Sequence, residues 1–153
     1  MANADRILVI DDDTVVCELV SALAMTMGLP CDIARDPARF LDDITPATSL
    51  ILLDLMMPEM DGIEVLRLLG EQRVKARILL TSGMDKRVLE TAEKLAHSLG
   101  LAVVGHLQKP FLLADLKVIL ESAAVHEEPE TAREVPAVSV TDDQILPEST
   151  PPG

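Results

Sequence analysis

The 153-residue sequence predicts an α/β fold in which one five-stranded parallel sheet is covered by helices on both faces. Three observations carry that prediction. Short apolar runs recur along the chain, segments of helical periodicity separate them, and polar residues close the runs. A strand buried on both faces reads as a continuous apolar run, whereas a strand with one wet face alternates. Regular exchange between such runs and amphipathic helices calls for right-handed crossovers joining parallel neighbours.

The first run, Ile7 to Ile10, ends in Asp11, Asp12 and Asp13. Val16, Leu19, Val20, Leu23 and Met27 then repeat at helical spacing, and Gly28 stands where a helix stops. Cys31 to Ala34 is a weaker second strand. Pro37, at a first helical position, opens a shorter second helix with Arg39, Phe40 and Leu41. Leu50 to Leu53 forms the third strand, which ends in Asp54, and Ile63, Leu66 and Leu69 mark the third helix. Arg77 to Thr81 is the fourth strand and delivers Ser82 and Gly83 to its end. Val88, Ala92, Leu95, Ala96 and Leu99 make the fourth helix, stopped by Gly100. Ala102 to Leu107 is the fifth strand, running into Gln108, Lys109, Pro110 and Phe111, and Leu112, Leu116, Ile119, Leu120 and Ala123 give the fifth helix.

Composition narrows the function. Hydrophobic residues make up 48% of the chain, yet Phe40 and Phe111 are its only aromatics, so base stacking on aromatic platforms is not expected. A formal net charge of −13 and a pI near 4.5 repel nucleic-acid backbones and anionic membrane surfaces. No nucleic-acid contact by this chain and no membrane association are therefore expected, and a cation or a basic protein surface is the better partner. Cys17 and Cys31 have no metal-type spacing and no partners for a disulfide framework, and the N-terminus lacks a signal-length apolar stretch, which fits a cytoplasmic protein. From about Glu127 the chain changes character: its last 27 residues hold five of the ten prolines and seven acidic residues against the single Arg133. We expect a folded domain over residues 1–125 and a disordered acidic, proline-rich tail or linker over 126–153.

In an open parallel sheet the functional crevice lies beyond the carboxyl ends of the strands. Asp11, Asp12 and Asp13 after the first strand and Asp54 after the third therefore face one crevice. Carboxylates that close cannot all stay ionised without a raised pKa or a bound cation, and oxygen ligands of this kind suit Mg²⁺. Asp13, followed by Thr14, reads better as a helix N-cap. Lys109 reaches the same rim as a compact positive charge, in a Lys-Pro pair whose bond can be cis. Ser82 brings a hydroxyl beside Gly83, although Thr-Ser-Gly alone is also a turn signal.

Taken in order, these elements resemble the receiver domain of two-component response regulators over about residues 5 to 125. The most diagnostic segment is Asp54-Leu55-Met56-Met57-Pro58-Glu59-Met60-Asp61-Gly62. The resemblance implies a doubly wound, flavodoxin-like (βα)5 fold with strand order 2-1-3-4-5. It implies that Asp54 is the phosphoacceptor, that Asp11, Asp12, Asp54 and the main-chain carbonyl of Met56 hold Mg²⁺, and that Ser82 and Lys109 contact the phosphoryl group. It further implies a histidine kinase or phosphotransfer protein as donor, and an acyl phosphate that the domain itself forms and hydrolyses rather than turnover of an outside substrate. The face of the fourth helix, fifth strand and fifth helix is the implied contact surface and a candidate dimer surface.

Two departures from the family pattern stand out. Three residues before Lys109, where the family carries an aromatic switch residue that moves together with the hydroxyl residue, this chain has His106. That histidine is either a titratable switch partner of Ser82 or a surface residue at a strand end. Met56 and Met84 occupy the positions two after the phosphoacceptor and two after the hydroxyl, where they overhang the path of the hydrolytic water. His97 and His126 have no partner at ligand spacing, so structural roles are expected. A rival reading, a phosphatase of the haloacid dehalogenase type, rests on Asp11, Asp13 and Thr14 after the first strand, with Asp142 and Asp143 as a late metal pair. It leaves Asp54 and the segment after it without a role. The stretch from Gly83 to Phe111 also looks similar to receivers attached to cyclic-di-GMP phosphodiesterase domains, so the output is either such a domain, another domain or a separate protein.

Overall fold

The computed structural model of the chain describes residues 6–34, 36–58, 60–83 and 85–124. Strand β1 (Arg6–Ile10) leads into helix α1 (Thr14–Thr26), strand β2 (Cys31–Ile33), a 3-10 helix (Pro37–Asp43) and strand β3 (Thr48–Asp54). Two very short strands, β4 (Met56–Met57) and β5 (Met60–Asp61), pair antiparallel before helix α2 (Gly62–Glu71). Strand β6 (Arg77–Ser82), helix α3 (Lys86–Ser98), strand β7 (Ala102–Gln108) and helix α4 (Leu113–Ala124) complete the described fold. The main sheet is wholly parallel and runs β2-β1-β3-β6-β7, which is the expected 2-1-3-4-5 order of its five strands.

Each central strand feeds two cores because successive side chains point to opposite faces. Leu8, Ile10, Ile51, Leu53, Ile78 and Leu80 pack with Phe40 and with Val65, Leu66 and Leu89 of α2 and α3. Ile7, Val9, Leu50, Leu52, Leu79 and Leu107 pack on the other face with Val16 and Val20 of α1 and Leu116 and Leu120 of α4. Most of these side chains are fully buried, and each Leu or Ile so placed contributes about 1.5–3 kcal/mol over its exposed state. That is why the central runs Ile7 to Ile10, Leu50 to Leu53 and Ile78 to Leu80 carry no polar residue.

The helix boundaries follow local chemistry. Asp13, Asp61 and Asp85 cap α1, α2 and α3, each accepting from backbone amides of the first turn, as expected of Asp13. Gly28 and Gly100, at φ +72° and +82°, end α1 and α3 in the left-handed region that favours glycine.

Three expectations need correction. The second helix is a 3-10 segment broken at Arg39 (φ −121°, ψ 19°); seven residues make under two α-turns, too few for an α-helix to offset its nucleation cost. Leu19, read as part of the buried stripe, is 44% exposed, because α1 is apolar over a wider arc than the sheet can cover. Leu112 is 68% exposed and precedes α4 rather than packing beneath it.

Strand β7 holds an irregularity that local periodicity does not announce. Ile78 pairs with Val103 but Leu79 pairs with Gly105, so Val104 is an extra residue in the ladder. Val103 consequently packs toward α2 and α3 whereas Leu107 packs toward α1 and α4. The tail expected over 126–153, with His126, lies outside the described residues.

Candidate functional site

The carboxyl ends of β1, β3 and β7 converge. Asp11 follows β1, Asp54 ends β3, and Lys109 follows β7, so three separate apolar strands each deliver one ionisable group to the same rim. Asp54 is 2% exposed and Asp11 4%, while Asp12 stays exposed beside them. Carboxylate oxygens of Asp11, Asp12 and Asp54 lie within 4.8 Å of one another. Lys109 Nζ sits 3.0 Å from Asp11 Oδ2 and donates to Asp54 Oδ2 at 3.2 Å. The other Asp54 oxygen accepts from the Met56 amide at 3.0 Å, and Asp11 Oδ1 accepts from the Asp13 amide at 2.8 Å.

Neighbouring backbone fixes this arrangement. The Leu55 amide donates to the Thr81 carbonyl (2.9 Å) and the Lys109 amide to the Ser82 carbonyl (2.7 Å), tying the residues beside Asp54 and at Lys109 to β6. The Lys109–Pro110 peptide is cis. Gly62 starts α2 directly against Leu55: a Cβ there would fall 2.5 Å from the Leu55 Cα, so only glycine allows this approach one residue after Asp54.

The electrostatics are unbalanced. Burial pushes the Asp11 carboxyl up from 3.8 to about 6, and the negative charge of Asp54 adds to that push against the Asp13 amide and Lys109. Burial alone would lower the Lys109 pKa, but pairing with Asp11 and Asp54 outweighs it and the ammonium is held above its ordinary value. One ammonium faces three carboxylates. Lys109 is an ion-pair neighbour of Asp11 Oδ2, which otherwise has no hydrogen-bond partner among the described residues. A buried, under-coordinated oxygen within an excess of negative charge fits a small divalent cation that prefers oxygen ligands.

The sequence-predicted residues Asp11, Asp12, Asp54 and Lys109 are thus brought together. Ser82 ends β6 and is fully buried at the same rim. The Met56 side chain is 51% exposed at the mouth, and Met84 lies outside the described residues. His106 does not reach the carboxylates; its Nδ1 lies 2.8 Å from Glu93 Oε1 on α3. His97 sits 3.9 Å from the other Glu93 oxygen. Asp13 caps α1 instead of joining the cluster, which removes one group the phosphatase reading needs.

Two residues escaped sequence reasoning. Thr81 is fully buried in register with Asp54, and its position as the first polar residue after the apolar run Ile78 to Leu80 was the available signal. Glu93 carries no local signal, since it is one of several charges on an amphipathic helix.

Comparisons with known proteins identify the family of the fold. A family model described as the response regulator receiver domain matches residues 7–121. Response regulator MprA of Mycobacterium tuberculosis (strain ATCC 25618 / H37Rv) is 32% identical over 138 residues, covering 90% of this chain and 58% of that protein. The alkaline phosphatase synthesis transcriptional regulatory protein SphR of Synechococcus elongatus is 30% identical over 118 residues, covering 71% and 44%. The chain therefore spans 58% and 44% of the lengths of these curated relatives. The crystal structure of a response regulator from Colwellia psychrerythraea superposes with a TM-score of 0.70 at 39% identity, covering 78% of this chain and 96% of that one. Among the described residues no helix is long and apolar enough to cross a membrane.

Proposed function

The chain belongs to the response regulator receiver domain family of two-component systems, and on that premise we propose that it accepts a phosphoryl group on Asp54 from a phosphohistidine donor. The observation that carries this reading is the placement of Asp54: a buried carboxylate at a strand end, held by Lys109 on one oxygen and the Met56 amide on the other. An Asp54 oxygen forms the new P–O bond as the P–N bond of the donor breaks. Such transfers need little covalent help from the protein, so positioning and charge neutralisation supply the catalysis.

Lys109 pairs with a phosphoryl oxygen, and the Ser82 hydroxyl donates to another. Asp11, Asp12, Asp54 and the Met56 carbonyl would hold Mg²⁺. Bound there, the ion would neutralise charge on the phosphoryl oxygens and on the three carboxylates. The domain is then a catalyst only of its own phosphorylation and dephosphorylation. A histidine kinase or phosphotransfer protein is the donor, in the cytoplasm. The readout runs through Ser82 and His106 to the face of α3, β7 and α4, which meets an output domain, a partner protein or a second copy. The charge of −13 argues against direct contact of this chain with nucleic acid.

Mass spectrometry after treatment with acetyl phosphate and Mg²⁺ tests this reading. One phosphoryl group per chain on Asp54, absent in Asp54→Asn, is the expected outcome. Repeated turnover of a phosphate ester, or labelling that survives the substitution, would overturn it.

A further inference from the structure

We propose that Glu93 and His97 of α3 and His106 of β7 form a second metal site, one that takes a divalent transition-metal ion such as Zn²⁺ and not Mg²⁺. It is separate from the acidic rim and does not rest on the phosphoacceptor reading. Glu93 and His97 stand four residues apart in α3 and so share one face of that helix. His106 comes to the same place from the sheet: Leu107 packs toward α1 and α4, so its neighbour in β7 points the other way, toward α3. The carboxylate thus sits between two imidazoles. His106 Nδ1 lies 2.8 Å from Glu93 Oε1, and His97 Nε2 lies 3.9 Å from Glu93 Oε2.

The spacing suits an ion between these groups. Zn²⁺ holds imidazole nitrogen at about 2.0–2.1 Å and carboxylate oxygen at about 2.0–2.2 Å, which puts two tetrahedral ligand atoms about 3.3–3.5 Å apart. The 3.9 Å gap to His97 is too long for a hydrogen bond and about half an ångström wider than such a pair, and the 2.8 Å gap to His106 is narrower by about as much. The His97 side chain is 58% exposed, so its ring is free of the packing that would stop it turning to close the first gap. A neutral imidazole carries one ring hydrogen, on either nitrogen. When His106 Nδ1 takes the ion, that hydrogen moves to Nε2 and no net proton is released.

Ligand chemistry separates the two sites. Two imidazoles and one carboxylate are the donor set of an open zinc site, whose fourth position goes to water or to a group from outside the chain. Asp11, Asp12 and Asp54 offer oxygen alone, the set that Mg²⁺ prefers. His106 and Glu93 are 18% and 30% exposed, which shields their side of the ion, while His97 leaves an entry path from solvent. An ion held here pins the last turn of α3, where His97 stands, to β7. His97 then does more than the structural role expected of it, because its partners are an acidic residue one turn back and a ring delivered by another element.

Calorimetric titration with Zn²⁺, in excess Mg²⁺ to fill the acidic rim, tests the proposal. The wild-type chain should bind one Zn²⁺ at this site. His97→Ala, at an exposed position that the fold does not need, should weaken that binding roughly tenfold or more, and His106→Ala and Glu93→Gln should do the same. Asp54→Asn and His126→Ala should leave it unchanged. Bound Zn²⁺ should also raise the Tm of the wild type and slow amide hydrogen exchange in the last turn of α3, and should do neither in His97→Ala. Absence of saturable Zn²⁺ binding overturns the site. So does binding that persists at full strength in His97→Ala or His106→Ala, or that is lost in Asp54→Asn or His126→Ala, since the ion then sits elsewhere.

Discussion

Thr81 lies directly across from Asp54 in the parallel ladder of β6 and β3, and its fully buried hydroxyl has no hydrogen-bond partner among the described residues. A buried hydroxyl left unpaired costs more than an apolar group of the same shape. Thr81→Val should therefore stabilise the unmodified protein by about 1 kcal/mol. A thermal melt checks this, with Tm rising by a few degrees. A fall in Tm would show that the hydroxyl is satisfied in solution.

Asp11 gives a pH dependence with a definite sign. Its folded pKa is raised from 3.8 to about 6, so between those values the folded protein binds a proton that the unfolded chain has released. The contribution of this group to stability is therefore greatest at low pH and is lost as pH rises through that window. Asp11→Asn, which cannot ionise, should gain stability relative to wild type as pH rises from about 4 to about 6 in the presence of EDTA. A difference in Tm that stays constant across the window would refute the assignment.

Mg²⁺ should act against the same cost. If the ion takes Asp11, Asp12 and Asp54, it must displace the proton from Asp11, so its affinity falls as pH drops below about 6. Titration followed by Tm at pH 8 and pH 5 should show a clear rise at the higher pH and little at the lower. Asp12→Asn should weaken the response at both.

Gly62→Ala places a methyl group 2.5 Å from the Leu55 Cα, a distance that backbone cannot accommodate without shifting. A cost of about 2 kcal/mol or more is expected, in the range of overpacked sites. Because Leu55 adjoins Asp54, Mg²⁺ affinity should drop together with Tm. Loss of stability with unchanged Mg²⁺ affinity would place the strain elsewhere.

Met56 stands half exposed at the mouth of the site, where an apolar side chain hinders an incoming water instead of orienting it. Met56→Asn should shorten the lifetime of the acyl phosphate, by about threefold or more if the amide orients the water. Release of inorganic phosphate from the labelled protein measures this, and an unaltered rate would count against the idea. Met84, expected to act alongside it, lies outside the described residues.

Much of the site is legible in the order of the residues alone. Asp11, Asp54, Ser82 and Lys109 each end an apolar run, and in a parallel sheet run ends are neighbours whatever the details of packing. Asp13 as a cap and Gly28 and Gly100 as stops follow from chemistry within a few residues. The sequence by itself therefore determined the parallel sheet, the crevice and the groups that line it, while the strand order came from the resemblance to receiver domains. The tertiary structure decided what depends on register and depth: the extra residue Val104, the turn of His106 toward Glu93, the unpaired hydroxyl of Thr81 and the short 3-10 turn in place of a second helix. A one-residue insertion exchanges the two faces of a strand without altering its apolar character, and a partner such as Glu93 is chosen by packing across the sheet. Local periodicity holds no record of either.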